Sequence, residues 1–236
     1  MPQSTRPQHV AIIMDGNRRW ARQQGLAIIE GHRKMTDEMI EHLALKAIKE
    51  HIPYLTLWAF STENWQRSQQ EVNDLMTLFR QFFDEQAARL QRHDIRIHTI
   101  GELSRFDQDI QDKLARCKEE TKDNKKLVLT IALNYGGRDE IIRAMRRMLL
   151  AHPQLTPEEV DENLFAQYLD TNQEIKLPDP DLIIRPGRVQ RLSGYLIWQS
   201  VYSELYFPDV LMPDFDEAAF DQALADYAQR QRRFGR

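Results

Sequence analysis

Short apolar runs alternate along the chain with amphipathic stretches. Residues 10–14, 54–60, 95–100, 127–134 and 182–185 read as strands, with a short one at 205–207. The first two lack clean in-out alternation, which predicts strands buried on both faces. Between them, residues 36–50 place Met39, Ile40, Leu43, Ala44, Ala47 and Ile48 on one helical stripe. Residues 71–92 do the same with Val72, Leu75, Met76, Phe79, Phe82, Phe83 and Leu90. Further helices are predicted at 107–121, 139–151, 157–170 and 216–231. The third of these opens on Thr156-Pro157 followed by two acids, a helix-start signal.

This order predicts an α/β fold: a single domain, residues 1–236, with a mainly parallel central sheet flanked by helices. In such folds ligands bind beyond the carboxyl ends of the strands. Asp15, Phe60-Ser61, Asn134 and Arg185 each fall at or just after a predicted strand end, so the pattern predicts that they converge on one rim. No internal repeat or linker interrupts the chain, and 176–181 (KLPDPD) reads as a stiff turn. Residues 1–8 are expected to be flexible.

Composition narrows the class only slightly. The 236 residues suffice for one full core. A balance of 32 Lys and Arg against 36 Asp and Glu gives −4, which argues against a general nucleic-acid binder but not against a local basic pocket. The lone Cys117 rules out an intrachain disulfide and a cysteine zinc cluster. With no signal-like stretch at the N-terminus and no run approaching the ~20 apolar residues of a membrane span, a cytoplasmic protein is expected, with at most peripheral membrane contact.

Four segments can carry chemistry. In MDGNRRWA, Asp15 stands at a strand tip where it can ligate Mg²⁺ through oxygen. Gly16 admits close backbone approach, and Arg18, Arg19 and Arg22 offer planar forks for phosphate. A helix starting near Asn17 would add free N–H groups. The bland alternative, in which Asp15 caps that helix and the arginines are solvated, stays open. No standard nucleotide-binding loop is present. In WAFSTENWQRS, polar Ser61, Thr62, Glu63 and Asn64 lie between Phe60 and Trp65, with Arg67 behind. That mixture suits a ligand with polar and apolar parts, although Ser61 and Thr62 alone read as helix caps. NYGGRDE, from Asn134, reads as a structural turn into a helix. In DLIIRPGRVQRLSG, Arg185, Arg188 and Arg191 interleave with Gly187, Ser193 and Gly194 as an anion nest. A helix-like apolar run follows and ends at Glu204, a second acid that could share a metal with Asp15.

Together, MDGNRRWA, GH, AFSTENWQR, NYGGR, DLIIR…QRLSG…WQ…YSELYF and RRFG, in this order over nearly the whole chain from His9, resemble the cis-prenyltransferases of the undecaprenyl diphosphate synthase family. The resemblance implies a homodimer or related heterodimer, an elongated apolar tunnel and a Mg²⁺-dependent condensation. In that reaction isopentenyl diphosphate adds to an allylic diphosphate and a cis double bond forms. It implies that Asp15 binds Mg²⁺, that Gly16, Asn17 and Arg19 hold the allylic diphosphate with Arg18 and Trp20 beside them, and that His32 assists catalysis. It places Phe60, Ser61, Asn64, Trp65 and Arg67 between the two substrates, with Asn64 and Ser61 near the proton path. Arg185, Arg191 and Ser193 would bind isopentenyl diphosphate, and Glu204 would complete the metal site. Within the tail, 229–236, Arg233-Phe234-Gly235 would reach across a dimer.

Three departures stand out. Ile28 occupies the place of a phosphate-binding arginine, Val189 replaces an acid while Arg188 adds a charge, and Lys34-Met35 follow GHR. Lys34 or Arg188 could restore the lost cation, or the substrate preference differs. Phe79, Phe82 and Phe83 are large for a tunnel wall, which suggests a short product unless they are plain core. Rival readings are a member making short, branched or cyclised products, a metal-dependent phosphohydrolase and a non-catalytic partner subunit.

Overall fold

The computed structural model describes residues 6–230. The proposed dimer-crossing residues Arg233-Phe234-Gly235 and most of segment 1–8 lie outside them. The strands are β1 (His9–Ile13), β2 (Tyr54–Trp58), β3 (Ile95–Ile100), β4 (Leu127–Ala132), β5 (Leu182–Ile184) and β6 (Glu204–Tyr206). They form one sheet of order β3-β4-β2-β1-β5-β6, with every pairing parallel. The helices are α1 (Asn17–Gln23), α2 (Ile28–Lys34), α3 (Ile40–Lys49), α4 (Gln69–Arg92), α5 (Gln108–Thr121), α6 (Gly137–Ala151), α7 (Glu162–Ala166), α8 (Asp170–Gln173) and α9 (Glu217–Gln229).

Successive residues of a strand point to opposite faces, and β1 shows the consequence. Val10 and Ile12 enter the larger core with Leu43 of α3, Phe79 and Phe83 of α4, Leu114 of α5 and Phe220 of α9. Ala11 and Ile13 face the other way, onto Tyr135, Tyr195 and Leu196. All five β1 residues are buried, which explains the missing alternation in sequence.

Three helix expectations are corrected. The helix expected at 36–50 begins earlier, as α2, and passes through a π turn at Met35–Met39 before α3. The expected helix 157–170 breaks into a 3-10 turn at Pro157–Glu159 and α7, because Asp161 leaves helical geometry and caps α7, accepting from the Leu164 N–H at 2.7 Å. The helix-like run before Glu204 is a chain of turns. Leu196 there has φ 45°, a left-handed conformation that a continuous helix excludes.

α1 and α2 touch backbone to backbone. A Cβ on Gly31 would lie 2.2 Å from the carbonyl oxygen of Asn17, so only glycine permits the contact. This contact carries His32 in beside the end of β1. Among the described residues no helix is long and apolar enough to cross a membrane.

Candidate active site

β1 and β5 are neighbours in parallel register, Ile12 opposite Ile184, so their ends lie side by side. After β1 the chain turns tightly, the Asp15 N–H donating to the Ile13 carbonyl at 2.8 Å. Gly16, at φ 103°, then starts α1 with no side-chain cap for its first N–H groups. Arg185 follows β5 directly and is only 6% exposed. Its Nη2 and Nε lie 2.8 and 3.3 Å from Asp15 Oδ2. Its Nη1 donates to Ser193 Oγ at 2.8 Å and to the Arg191 carbonyl. Arg19 Nη2 lies 3.5 Å from Asp15 Oδ1 and donates to the Gly187 carbonyl. Gly187 has φ 109°, and a Cβ there would come within 2.9 Å of Arg19 Nη2 and 3.1 Å of Asp15 Cβ.

The ends of β2 and β4 supply the opposite wall. Ser61 and Asn64 cap the turn Thr62–Gln66 reciprocally, Asn64 Oδ1 accepting from the Ser61 N–H at 3.1 Å. That leaves the Asn64 NH₂ as the group a ligand can use. Trp65 Nε1 donates to Asn134 Oδ1 at 2.8 Å, and Phe60 packs edge-on against Trp65, Phe79 and Phe106. Asn134 therefore has the structural part expected for its motif, holding Trp65 in place.

Between the walls lies a cavity of about 360 Å³. Asp15, Asn17, His32, Ser61, Asn64, Arg67, Arg185 and Ser193 give it a polar end, and Leu75, Leu78, Phe79, Phe82, Phe83 and Ile131 an apolar one. Two buried polar atoms at the polar end, Asn17 Oδ1 and His32 Nε2, have no hydrogen-bond partner. Such atoms are costly unless a ligand or water meets them. Burial, and then the nearby Arg67 and Arg18 charges, push the His32 pKa down to about 4. The ring is neutral at pH 7 and can donate from one nitrogen. The arrangement suits a molecule with an anionic head and a hydrocarbon body.

The remaining sequence-predicted residues are placed as follows. Gly16, Arg19, Phe60 and Trp65 do not line the cavity themselves: Arg19 meets the lining residue Asp15, and Phe60 packs on the lining residue Phe79. Arg18 reaches towards Glu71, Nε to Oε1 at 3.6 Å. Trp20 does not line the cavity: its Nε1 donates to Asp214 at 2.8 Å, and Lys34 Nζ sits 4.7 Å from its ring centre. Arg191 is exposed and contributes its carbonyl to Arg185. Lys34 is also 3.4 Å from Asp214, and Arg188 pairs with Asp209 at 2.9 Å. Glu63 of the polar stretch after β2 lines the cavity, as do Met35 and Thr36, to which the sequence pattern gave no place in the site. The π turn is what brings the last two there.

Glu204 is not brought to Asp15 within one chain. It opens β6 opposite Leu182, which is itself opposite Val10, so it lies roughly 10 Å below the end of β1, two strands away. It pairs instead with Arg230 at 2.8 Å. Among the described residues no group of three or more His, Cys, Asp or Glu could hold a metal ion. Mg²⁺, however, needs only one or two carboxylates when substrate phosphates supply further oxygens. Asp15, at the polar end of the cavity, fits that donor set.

The family profile described as "Putative undecaprenyl diphosphate synthase" matches residues 13–235. The chain belongs to this family of isoprenyl transferases. It is a cis-prenyltransferase, an enzyme that transfers prenyl groups. An isoprenyl transferase of Chromobacterium violaceum is 44% identical over 232 residues, spanning 98% of this chain and 88% of that protein. The ditrans,polycis-undecaprenyl-diphosphate synthase ((2E,6E)-farnesyl-diphosphate specific) of Pectobacterium atrosepticum is 43% identical, spanning 97% and 90%. The solved structure of lavandulyl diphosphate synthase from Lavandula x intermedia, in complex with dimethylallyl diphosphate, matches with TM-score 0.93 at 38% identity, covering 99% of this chain and 100% of that one. A probable undecaprenyl diphosphate synthase from Campylobacter jejuni matches with TM-score 0.81 at 31% identity, covering both chains fully.

Proposed function

We propose that this cis-prenyltransferase condenses isopentenyl diphosphate with an allylic diphosphate, with Mg²⁺, to form a cis-prenyl diphosphate. The observation that carries the reading is the single cavity with Asp15, Arg67, Arg185 and an unpartnered His32 at one end and α4 phenylalanines at the other. The allylic carbon–oxygen bond breaks as diphosphate departs. The isopentenyl double bond supplies the electron pair for the new carbon–carbon bond, and a proton leaves isopentenyl C2 to restore a double bond. Asp15, together with diphosphate oxygens, would hold Mg²⁺, which would supply positive charge where negative charge builds on the leaving group. Arg19, Arg67 and neutral His32 orient the allylic diphosphate, and Arg185, Arg191 and Ser193 hold the isopentenyl diphosphate. Asn64 and Ser61 fix the geometry near the proton to be lost. The apolar interior keeps water from the developing cation.

A second reading, a short, branched or cyclised product, has its own support. Phe79, Phe82 and Phe83 close in the apolar end of the cavity, where smaller side chains would leave more room for a growing chain. The likeness to a lavandulyl diphosphate synthase supports the same reading. A phosphohydrolase is supported less well: the second residue after Asp15 is Asn17, not an acid, and its side chain donates to the Met14 carbonyl at 3.0 Å. A non-catalytic subunit would have no need of the intact Asp15, Asn64 and Arg67 set. We further propose a homodimer. Ile142, Met145 and Leu149 expose an apolar stripe on α6, Val201 is exposed just before the edge strand β6, and a stripe of this kind fits a self-complementary interface.

Release of inorganic diphosphate in step with incorporation of isopentenyl label into an extractable product tests the reading. Hydrolysis of the allylic diphosphate without a carbon–carbon bond would mark a phosphohydrolase instead.

A further inference from the structure

Two guanidiniums meet at the polar end of the cavity. Arg67 lines the cavity, and Arg18 approaches from the first turn of α1. Both meet one carboxylate oxygen, Glu71 Oε1, with Arg67 Nη1 at 2.8 Å and Arg18 Nε at 3.6 Å.

Glu71 is well placed to hold them. It lies in the first turn of α4, where the Ser68 hydroxyl accepts from its N–H at 3.3 Å, so the backbone beneath it is fixed. Its side chain is only 12% exposed, whereas that of Arg18 is 44% exposed. A solvated guanidinium on a long stem has no fixed position of its own, and two of them side by side repel. A carboxylate between them offsets that repulsion and ties α1 to the loop ahead of α4, the two walls of the polar end.

We propose that Glu71 is a positioning residue that holds Arg18 and Arg67 together at the polar end of the cavity, so that both can meet an incoming diphosphate. The proposal rests on the reading of this cavity end as a diphosphate site. It predicts a sign opposite to simple electrostatics. If Glu71 were merely a negative charge near the site, its removal would tighten anion binding. If it positions the two arginines, its removal loosens binding.

Calorimetric titration of the full chain with inorganic diphosphate, in the presence of a chelator, distinguishes the outcomes. The wild type should bind, and Glu71→Gln should bind about tenfold more weakly. Arg18→Gln should lose a similar factor, and the Arg18→Gln/Glu71→Gln double variant should be little weaker than either single one, because the two act as a unit. Circular dichroism and thermal melts establish that each variant is folded; Arg18→Gln, at a largely exposed position, keeps the test available should Glu71→Gln fail to fold. Glu71→Gln binding as tightly as wild type or tighter overturns the proposal, as do fully additive losses in the double variant. A wild type that does not bind diphosphate at all overturns the reading of the site on which the proposal rests.

Discussion

Arg185 donates from both Nε and Nη2 to one oxygen of Asp15, 170 positions away in sequence. The pairing follows from topology. β1 and β5 run parallel as neighbours and end at the same level, so the residues just beyond them meet. The carboxylate best suited to Mg²⁺ is thus held between Arg185 and Arg19, with its charge balanced before any ligand arrives. A diphosphate entering with Mg²⁺ would give those guanidiniums a new partner as Asp15 turns to the metal.

The fit around this pair is tight enough to test with one methyl group. Gly187→Ala places a Cβ against Arg19 and Asp15 at a backbone φ of 109° that side chains rarely adopt. It should cost about 1–3 kcal/mol of stability and lower kcat/KM at least tenfold. Thermal melts and initial rates measure both. Unchanged kinetics would show that Asp15 and Arg19 need no fixed placement.

Much of the fold could be read from the sequence because it rests on local signals. Apolar runs with no alternation mark strands covered on both faces, and each one here became a strand of a parallel sheet. The rule that ligands gather at strand ends then placed Asp15, Ser61 and Arg185 on one cavity. Properties set by distant partners could not be read. The π turn that carries Met35 and Thr36 to the cavity has no periodic signature, and Leu196 adopts a left-handed conformation that its neighbours in sequence do not signal. Glu204, expected beside Asp15, is not beside it within one chain, because sequence gives a strand's residues but not their level in the sheet. Its register puts it at the opposite end of β6 from the cavity.

Phe79, Phe82 and Phe83 are buried and line the apolar end of the cavity. Truncating one enlarges the space available to a growing chain. Phe79→Ala and Phe82→Ala should each cost about 3–5 kcal/mol of stability and shift the product to at least one further five-carbon unit. Mass analysis of the extracted products reads the shift. Products of unchanged length from folded variants would make these side chains plain core.

Burial pushes the pKa values of His9, His32 and His98 down to about 4. The unfolded chain, with histidines near 6.5, binds more protons than the folded one between those values. Stability is therefore full above pH 6.5 and falls as pH drops towards 4, by about 3 kcal/mol for each imidazole across the window. Urea unfolding should show a clearly lower midpoint at pH 5 than at pH 7.5. An equal midpoint at both would contradict the burial of neutral rings. Since His32 is already uncharged at pH 6, the coupling rate should show no inflection from it between pH 6 and 8.

The α6 stripe gives a prediction about assembly. Met145→Lys, at an exposed position in the middle of it, should shift the chain from dimer to monomer in sedimentation velocity while leaving its circular dichroism unchanged. A wild type that sediments as a monomer would remove the proposed interface.

The most direct measurement is product analysis after incubating the purified chain with Mg²⁺, isopentenyl diphosphate and allylic diphosphates of several lengths. Mass and NMR should show a prenyl diphosphate longer than the primer, carrying a new cis double bond, formed only with metal. Asp15→Asn should form it about 10²–10³-fold more slowly. No carbon–carbon coupling with any primer, or an Asp15→Asn variant as fast as wild type, would contradict the account.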